Sequence, residues 1–512
     1  MNALSFEDQV GQLIIALWPG DPEETAAQVA QGHVGGLLLP PGAAAAEGEL
    51  AEALGRLQRL ATYPLLCLGD AEGGLGPLVP GALALAAARR PDLARRAGAL
   101  AAVEARARGL QLVLAPPFDV QRSPGAAPLA GPSFGDNPSL VARLAAAFVE
   151  GCQAAGALAV GRSFPGCGGA VYDATNGRTV LPQDRATLEK IDLLPYVAAC
   201  RAGLGAVMTG HLHVAALDHL PSRLATHSSA VVEGLLRGSL HFAGLLLSDN
   251  LDAPDIRAHY GPAEAAVLAF AAGHDMLVTE RPGEVYRALY EVLLNGDIPA
   301  ARLQEATARI DAARAWLRER ELPSPKDLAS LENELSQGPT LAREVAASSL
   351  TLLRGRPDLL ARPGLLIVTH QMARPDGSRV DDDLQRLAMA ADGKPAFHAL
   401  DAHAAQEQAG GVIDAARTAG AALLLLDLPP GAEERGTLRE GIIALAQALK
   451  RTGLPVGVVL MGDPYPLARF GEADLLLYAP GDTPAHLEAV FAFLRGEAEA
   501  PGRLPVIVPG LA

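Results

Sequence analysis

The chain has 512 residues, of which 49% are hydrophobic and 20% are charged, which predicts a globular protein with a sizeable core and excludes general disorder. Its 42 Lys and Arg against 58 Asp and Glu give a formal charge of −16, which argues against a nucleic-acid or anionic-membrane surface, because both need clustered positive charge. Only two Trp, eight Tyr and eleven Phe occur, so the core is expected to be aliphatic and few rings remain to stack on a ligand.

The first half of the chain repeats a pattern of short aliphatic runs, each followed by a loop and a stretch typical of a helix. The runs lack polar alternation, which favours parallel strands buried on both faces. Seven of them are clear and an eighth is less clear: 35–39, 64–69, 110–115, 157–161, 205–209, 244–248 and 275–279. Helices are predicted between them, among them 138–155 and 300–321. This pattern predicts a (β/α)8 barrel over residues 1–325.

Two prolines within residues 322–325 indicate a domain boundary, and a helical connector is predicted at 326–353. A second pattern of alternating strands and helices fills 354–512. Its strand candidates are 364–369, 421–427, 455–461 and 474–478. Four or more such strands predict an α/β sandwich with a mostly parallel sheet.

The cysteines and the N-terminus favour a cytoplasmic location. The four cysteines form no CxxC pair, so neither a disulfide framework nor a zinc module is expected. The first twenty residues lack a basic leader before their apolar run, so no signal peptide is expected. The sequence contains no uninterrupted run of about 18 apolar residues, so no membrane span is predicted. No Gly-rich loop carries a Lys and no dinucleotide fingerprint is present, so we expect no cofactor.

Polar side chains follow five of the predicted barrel strands, at the end where barrel active sites lie. In chain order they are Asp70, Arg162 with Asp173 beyond it, His211 with His213, Asp249, and Glu280. Several carboxylates are thus expected to converge on one face, which is typical of carboxylate chemistry.

These segments, as a set, resemble glycoside hydrolase family 3, in particular its bacterial β-N-acetylglucosaminidase branch. The resemblance covers about residues 5–320 and is carried by EDQVGQLI, VGGLLL, GDAEGG, RSFPGCG, AVMTGHLHV, GLLLSDNLD and AGHDM. The region that ends in PGRLPV is similar to the second domain of many members.

The resemblance implies roles for individual residues. Asp249 stands at the position of the nucleophile, an ionised carboxylate that attacks the anomeric carbon. Asp70, Arg162 and His211 stand where members of the family bind the substrate. The implied substrate is a small carbohydrate or glycoside, and neither nucleic acid nor membrane is expected as a partner; the oligomeric state is not predicted.

The general acid/base is where this sequence departs from the family. The acetylglucosaminidase branch uses a loop Asp-Ser-His in which the His transfers the proton, but this chain has Asp173-Ala174-Thr175. A threonine hydroxyl titrates far too high to protonate a leaving oxygen. Asp173 acting directly, Glu433 from the second domain, or the absence of any acid remain as alternatives. Other polar family positions are also replaced, among them by Ser163, Cys167, Leu75 and Pro132.

Two other chemistries are less favoured by the sequence. His211 and His213 alternate as metal ligands on one strand do, yet no further ligands are clearly placed, so no metal site is expected. Cys167 has no legible His–Asn partnership, so it is interpreted as a small replacement for a lost His. The sequence predicts a retaining, exo-acting β-glycosidase that removes terminal non-reducing sugars, with β-N-acetylglucosaminidase or β-glucosidase specificity. The alternative is a family 3-like protein that has lost hydrolysis and binds a ligand or partner.

Overall fold

The computed structural model describes residues 4–18, 22–39, 47–70, 79–122, 133–173, 177–220, 223–320, 335–357, 364–371, 396–401, 405–428 and 440–511. The chain divides into two compact units. The first comprises Met1–Val79, Pro91–Phe134 and Pro138–Gly338, and the second comprises Pro80–Arg90, Gly135–Asn137 and Pro339–Ala512. Among the described helices, none is long and apolar enough to span a membrane.

The strands of the first unit are short and mostly aliphatic. They are β1 (Ile14–Leu17), β2 (Gly36–Leu39), β3 (Leu66–Asp70), β4 (Leu112–Leu114), β5 (Leu158–Phe164), β6 (Val171–Asp173), β7 (Arg178–Leu181), β8 (Ala206–Thr209), β9 (His213–Val214), β10 (Leu245–Leu247) and β11 (Leu277–Thr279). Every clear aliphatic run of the sequence overlaps one of these strands, and β1 is the eighth strand of the barrel.

Eight of these strands form one parallel sheet that nearly closes on itself. Its order is β10-β8-β5-β4-β3-β2-β1-β11, and a parallel bridge between Leu247 and Met276 joins the two edges. Alternate strand residues, such as Leu66 and Leu68, point into a fully buried aliphatic core. The predicted (β/α)8 barrel is thus confirmed. The remaining strands form a small sheet of order β6-β7-β9.

Helices connect the strands of the first unit as the sequence pattern predicts. The longer ones are Phe6–Gly11, Pro22–Ala30, Glu47–Leu60, Pro91–Ala107, Pro138–Ala154, Leu194–Arg201, Ala230–Ser239, Pro262–Ala272, Pro282–Leu294 and Ala300–Glu319. Short helical turns also occur at Arg185–Thr187, Leu188–Asp192, Ala225–His227 and Pro254–Arg257. Because each barrel strand is followed by a helix that returns to the other end, all strand C-termini lie on one face.

The second unit contains the predicted α/β sandwich. Its strands are β12 (Thr351–Arg354), β13 (Leu365–Gln371), β14 (Ala396–Asp401), β15 (Ala421–Leu428), β16 (Val456–Gly462) and β17 (Leu475–Ala479). Their order is β12-β17-β16-β15-β13-β14, in which β12 alone runs antiparallel to its neighbour. Successive residues of β15 belong to two separate cores, so both faces of the sheet are covered.

The helices of the second unit are Ala82–Ala88, Gly338–Ser349, Ala405–Ala416, Glu440–Arg451, Tyr465–Phe470 and Pro484–Leu494. The structure differs from the sequence prediction at the end of the connector, because residues 351–353 belong to β12 rather than to a helix. Strand β14 was also not predicted from the sequence.

Candidate active site

Polar residues gather at the C-terminal rim of the barrel. Asp70 is the last residue of β3, Arg162 lies within β5, and His211 comes two residues after β8. Asp249 comes two residues after β10, and Glu280 directly follows β11. The strands are parallel, so the rim brings these residues to the face where barrel enzymes carry their chemistry.

Asp70 and Arg162 form an ion pair across the barrel mouth. Arg162 Nη1 lies 3.3 Å from Asp70 Oδ2, and their side chains are 24% and 7% exposed. The guanidinium compensates the carboxylate charge in a place with little water. Because a guanidinium has five N–H donors in a fixed fork, Arg162 retains the capacity to donate toward a hydroxyl at the mouth.

Cys167 lies buried in the loop that follows β5. Burial and the negative charge of Asp119 raise the pKa of its thiol well above the usual value, although a hydrogen bond from Ser163 opposes this. A protonated, buried thiol is a poor nucleophile. The burial of Cys167 therefore disfavours a role as a thiol nucleophile.

Asp119 is a residue of this site that the sequence analysis missed. It is 1% exposed, and its Oδ1 accepts a hydrogen bond of 2.6 Å from the backbone N–H of Cys167. Burial raises the pKa of Asp119 to about 7, against the opposing effects of that N–H and of Arg162. Asp119 thus holds the loop that directly follows β5, the strand that contains Arg162, and its place five residues after β4 was a signal for it in the sequence.

The turn at Asp249 is braced by its neighbours. The N–H of Asn250 donates to Asp249 Oδ1 at 2.7 Å, and the side-chain amide of Asn250 donates to Glu280 Oε1 at 3.1 Å. Asp249 is half-buried, and its charge contributes to the raised pKa of the Cys167 thiol. The carboxylate of Asp249 therefore lies within electrostatic reach of Cys167, in the loop that follows β5.

His211 contacts the same turn and uses both ring nitrogens to do so. Its Nε2 lies 2.9 Å from the carbonyl oxygen of Asn250, and its Nδ1 lies 2.8 Å from Thr226 Oγ1. No ring nitrogen of His211 remains for a sugar hydroxyl. The role of His211 in binding the substrate therefore stays a prediction, and these contacts do not favour a direct one.

His213, the second histidine of the His-x-His motif, also contacts the protein backbone. His213 Nδ1 faces the carbonyl of Arg223 at 3.0 Å. Across the described ranges, no group of three or more His, Cys, Asp or Glu residues is arranged to hold a metal ion.

Asp173 stands on a hairpin beside the rim. It ends β6, is half-buried and pairs in register with Arg178 of β7. Strand β7 in turn pairs with β9, just after β8, which fixes the hairpin to the C-terminal face. Ala174 and Thr175 lie outside the described residues, and so do Leu75, Pro132 and Glu433.

Comparison with known proteins finds relatives that are named as glycosidases. A β-N-acetylglucosaminidase/β-glucosidase of Cellulomonas fimi is 32% identical over 69% of this chain and 65% of its own length. A β-hexosaminidase of Thioalkalivibrio sulfidiphilus is 35% identical over 50% of this chain and 77% of its own length.

A solved structure is similar over nearly the whole chain. It is a glycoside hydrolase family 3 β-N-acetylglucosaminidase from Paenibacillus sp. str. FPU-7, with a TM-score of 0.84, 25% identity and 99% coverage of both chains. Residues 5–313 match the model of the glycosyl hydrolase family 3 N terminal domain. On this match, and on the barrel that these residues form, the chain belongs to glycosyl hydrolase family 3.

Proposed function

We propose that the protein is a retaining, exo-acting β-glycosidase that removes terminal non-reducing sugars, with β-linked N-acetylglucosamine as its first candidate substrate. The observation that carries the proposal is the braced turn at Asp249. Within the described residues, the carboxylate of Asp249 accepts one hydrogen bond, from Asn250 N–H to Oδ1. Oδ2 is thereby left to attack. The names of the relatives support the choice of sugar.

The proposed reaction has two steps. Asp249 attacks the anomeric carbon and forms a covalent glycosyl-enzyme, while the departing glycosidic oxygen takes a proton from an acid. Water then gives a proton back to that residue and releases the sugar with its β-configuration retained. The pair of Asp70 and Arg162 supplies an acceptor and a donor at the mouth of the barrel, which suits the hydroxyls of the sugar.

The acid is the open part of this mechanism. Asp173 is our first candidate because its hairpin is attached to the same rim as Asp249. Glu433 is the second, by analogy with family members that take their acid from the second domain. If neither acts, only substrates with good leaving groups, such as nitrophenols, are expected to react at a useful rate.

The test is a panel of nitrophenyl and alkyl β-glycosides, assayed with the wild type and with Asp249→Asn. Asp297→Asn, an exposed carboxylate of the same unit, is the matched control. We expect Asp249→Asn to lose at least about 10³-fold in kcat on every substrate, because it removes the nucleophile. Nuclear magnetic resonance should show the β-anomer as the first product. Equal rates for both variants, or an α-anomer, contradict the proposal.

A second candidate function is ligand binding without hydrolysis. It is favoured by the end of β5 and the loop that follows it, where Ser163 and the buried Cys167 stand at positions at which the family has histidines. It predicts no turnover of any glycoside by the wild type, together with calorimetric binding of N-acetylglucosamine that Asp249→Asn leaves intact. Turnover that depends on Asp249 excludes it.

A further inference from the structure

A chain of close polar contacts leads from the turn at Asp249 into the core of the barrel. Its members are His211, Thr226, Thr209 and His274, which we call the His211–His274 chain. The distances along it are 2.8 Å from His211 Nδ1 to Thr226 Oγ1, 3.4 Å from Thr226 Oγ1 to Thr209 Oγ1, and 2.9 Å from Thr209 Oγ1 to His274 Nε2. Three of the four members have no exposed surface: Thr209, Thr226 and His274.

Which atoms donate and which accept is determined first at the buried end, by His274. His274 Nδ1 faces the carbonyl oxygen of Ala269 at 3.0 Å, and a carbonyl only accepts, so Nδ1 carries the proton. Burial lowers the pKa of His274 to about 3, so the ring is neutral and its Nε2 is an acceptor. Thr209 must therefore give its single hydroxyl proton to His274.

The order of donors does not continue from Thr209 to His211. Since the proton of Thr209 is already used, Thr209 Oγ1 can only accept, and its 3.4 Å contact with Thr226 carries a hydrogen only if Thr226 supplies one. Thr226 has one proton as well, and its shortest contact is the 2.8 Å contact with His211 Nδ1, against 3.3 Å to the carbonyl of Gly210. At the other side of the ring, Nε2 faces the carbonyl of Asn250, so Nε2 carries the proton of His211.

We propose that His211, held by Thr226 and Asn250 as the tautomer protonated on Nε2, is a positioning residue for Asp249. Asn250 is the link between them. Its N–H holds the carboxylate of Asp249, and its carbonyl is held by His211. A rotation of this residue would move the carboxylate, and an error of about 1 Å at a reacting atom costs up to about 10²-fold in rate. The inference rests on the proposed function, in which Asp249 is the nucleophile.

This role differs from acid catalysis by His211. The Nε2–H bond is directed at a protein carbonyl, and Nδ1 accepts from Thr226, so the ring holds no proton toward a leaving group. His274 lies at the buried end of these contacts, has no exposed surface, and its two ring nitrogens face Ala269 and Thr209. His274 occupies the third position of the motif Ala-Gly-His-Asp-Met, to which the sequence analysis assigned no role.

The first experiment breaks the chain at Thr226. Thr226→Val has the same shape without the hydroxyl, Thr226→Ser retains the hydroxyl, and Thr307→Val removes the hydroxyl of a helix residue elsewhere on the barrel as a control. With a nitrophenyl glycoside we expect Thr226→Val to lower kcat about 10-fold while KM changes less than about threefold. Thr226→Ser should recover most of this loss, because it restores the donor to Nδ1.

The second experiment reads the tautomer and needs no activity. In protein labelled with ¹⁵N-histidine, the resonances of His211 are assigned by their absence from His211→Gln. The wild type should show Nε2 protonated, and Thr226→Val should show a smaller excess of this tautomer, because only the carbonyl of Asn250 then favours it. His211→Gln places an amide donor near the position of Nε2, so its kcat should exceed that of His211→Leu by at least about 10-fold.

The outcomes separate the inference from the proposed function. If the wild type shows no hydrolysis, the proposed function is wrong. The tautomer spectrum then tests only whether His211 is held with its proton on Nε2. Protonation of His211 on Nδ1 overturns the inference whether or not the protein is active. So does hydrolysis in which Thr226→Val and His211→Leu retain the kcat of Thr307→Val. A Thr226→Val protein that fails to fold leaves the comparison of the two His211 variants to decide.

Discussion

Two aspartates at opposite ends of the barrel have very different surroundings. Asp275 precedes β11 at the N-terminal end and has no exposed surface. Its oxygens lie 2.7 Å from Arg237, 2.9 Å from Arg309 and 3.5 Å from Arg302, and Oδ2 also accepts from the N–H of Leu246 at 2.9 Å. Asp249 at the C-terminal end is half-buried and accepts one hydrogen bond from its neighbour among the described residues.

The difference shows how the barrel separates stability from chemistry. A carboxylate whose oxygens are filled by arginines and a backbone amide has no oxygen left to react. A carboxylate with an open oxygen gives up that stabilisation and remains able to attack. Barrel enzymes generally carry chemistry at the C-terminal face and stability at the other. The predictions below test this separation through the free energy of unfolding, from the largest expected change to the smallest.

The largest decrease in the free energy of unfolding is expected for Asp275→Asn. The substitution leaves three buried or half-buried guanidiniums without their shared anion, and breaking such a pair from one side costs about 3–5 kcal/mol. Urea unfolding followed by tryptophan fluorescence measures this loss. Both tryptophans, Trp18 and Trp316, belong to the first unit, so the signal reports on the barrel.

Asp297→Asn is again the matched control, because its carboxylate is exposed in the same unit. The two variants should differ by most of the 3–5 kcal/mol expected of Asp275→Asn. If Asp275→Asn unfolds at the same urea concentration as the control, the arginine cluster does not stabilise the barrel, and the comparison between the two ends fails.

A smaller change is expected from His227, on the turn after β9. The ring of His227 is 8% exposed and packs edge-on against Tyr260, with 4.9 Å between the ring centroids. Neither ring nitrogen has a hydrogen-bond partner among the described residues, although the backbone of Ala265 lies nearby. Burial, with smaller effects from His211 and Arg178, lowers the pKa of His227 to about 4. In the unfolded chain the pKa returns to about 6.5.

The sign of the pH dependence follows. Below pH 6.5 the unfolded chain binds a proton that the folded one does not, so stability is fully present above that pH and falls as the pH approaches 4. Between pH 7.5 and 5 the loss from this residue is about 2 kcal/mol. His227→Leu should remove that part of the acid sensitivity, whereas His219→Leu, at an exposed position, should leave it unchanged. Equal acid sensitivity in both variants shows that His227 is not the source.

Most of the fold follows from the sequence because its strands are buried on both faces. Runs such as Leu245–Leu247 are continuously aliphatic, and their observed bounds lie within a few residues of the predicted ones. Strand β12 escaped prediction because it lies at a sheet edge, is partly exposed, and directly follows a helix. Strand β14, at the other edge, contains a His and ends in an Asp, so its aliphatic pattern is weak.

The site is less predictable, because its key contacts join residues far apart in the chain. The position of Asp70, Arg162 and Asp249 at strand ends is readable from the sequence. The hydrogen bond from the N–H of Cys167 to Asp119 cannot be read from the sequence, because it joins two loops 48 residues apart. The motif around His211 predicted a substrate contact, whereas the fold places Asn250 and Thr226 against its two nitrogens.

The smallest change in stability is expected for the variant with the largest effect on activity. Asp249→Asn keeps an oxygen that can accept from the N–H of Asn250, and it removes a negative charge that acts on the buried thiol of Cys167. Its free energy of unfolding should therefore stay within about 0.5 kcal/mol of the wild type, or rise slightly. Urea unfolding by tryptophan fluorescence measures it beside Asp275→Asn. If the two variants lose similar stability, Asp249 is a structural carboxylate like Asp275, and the open oxygen at the C-terminal face is not reserved for chemistry.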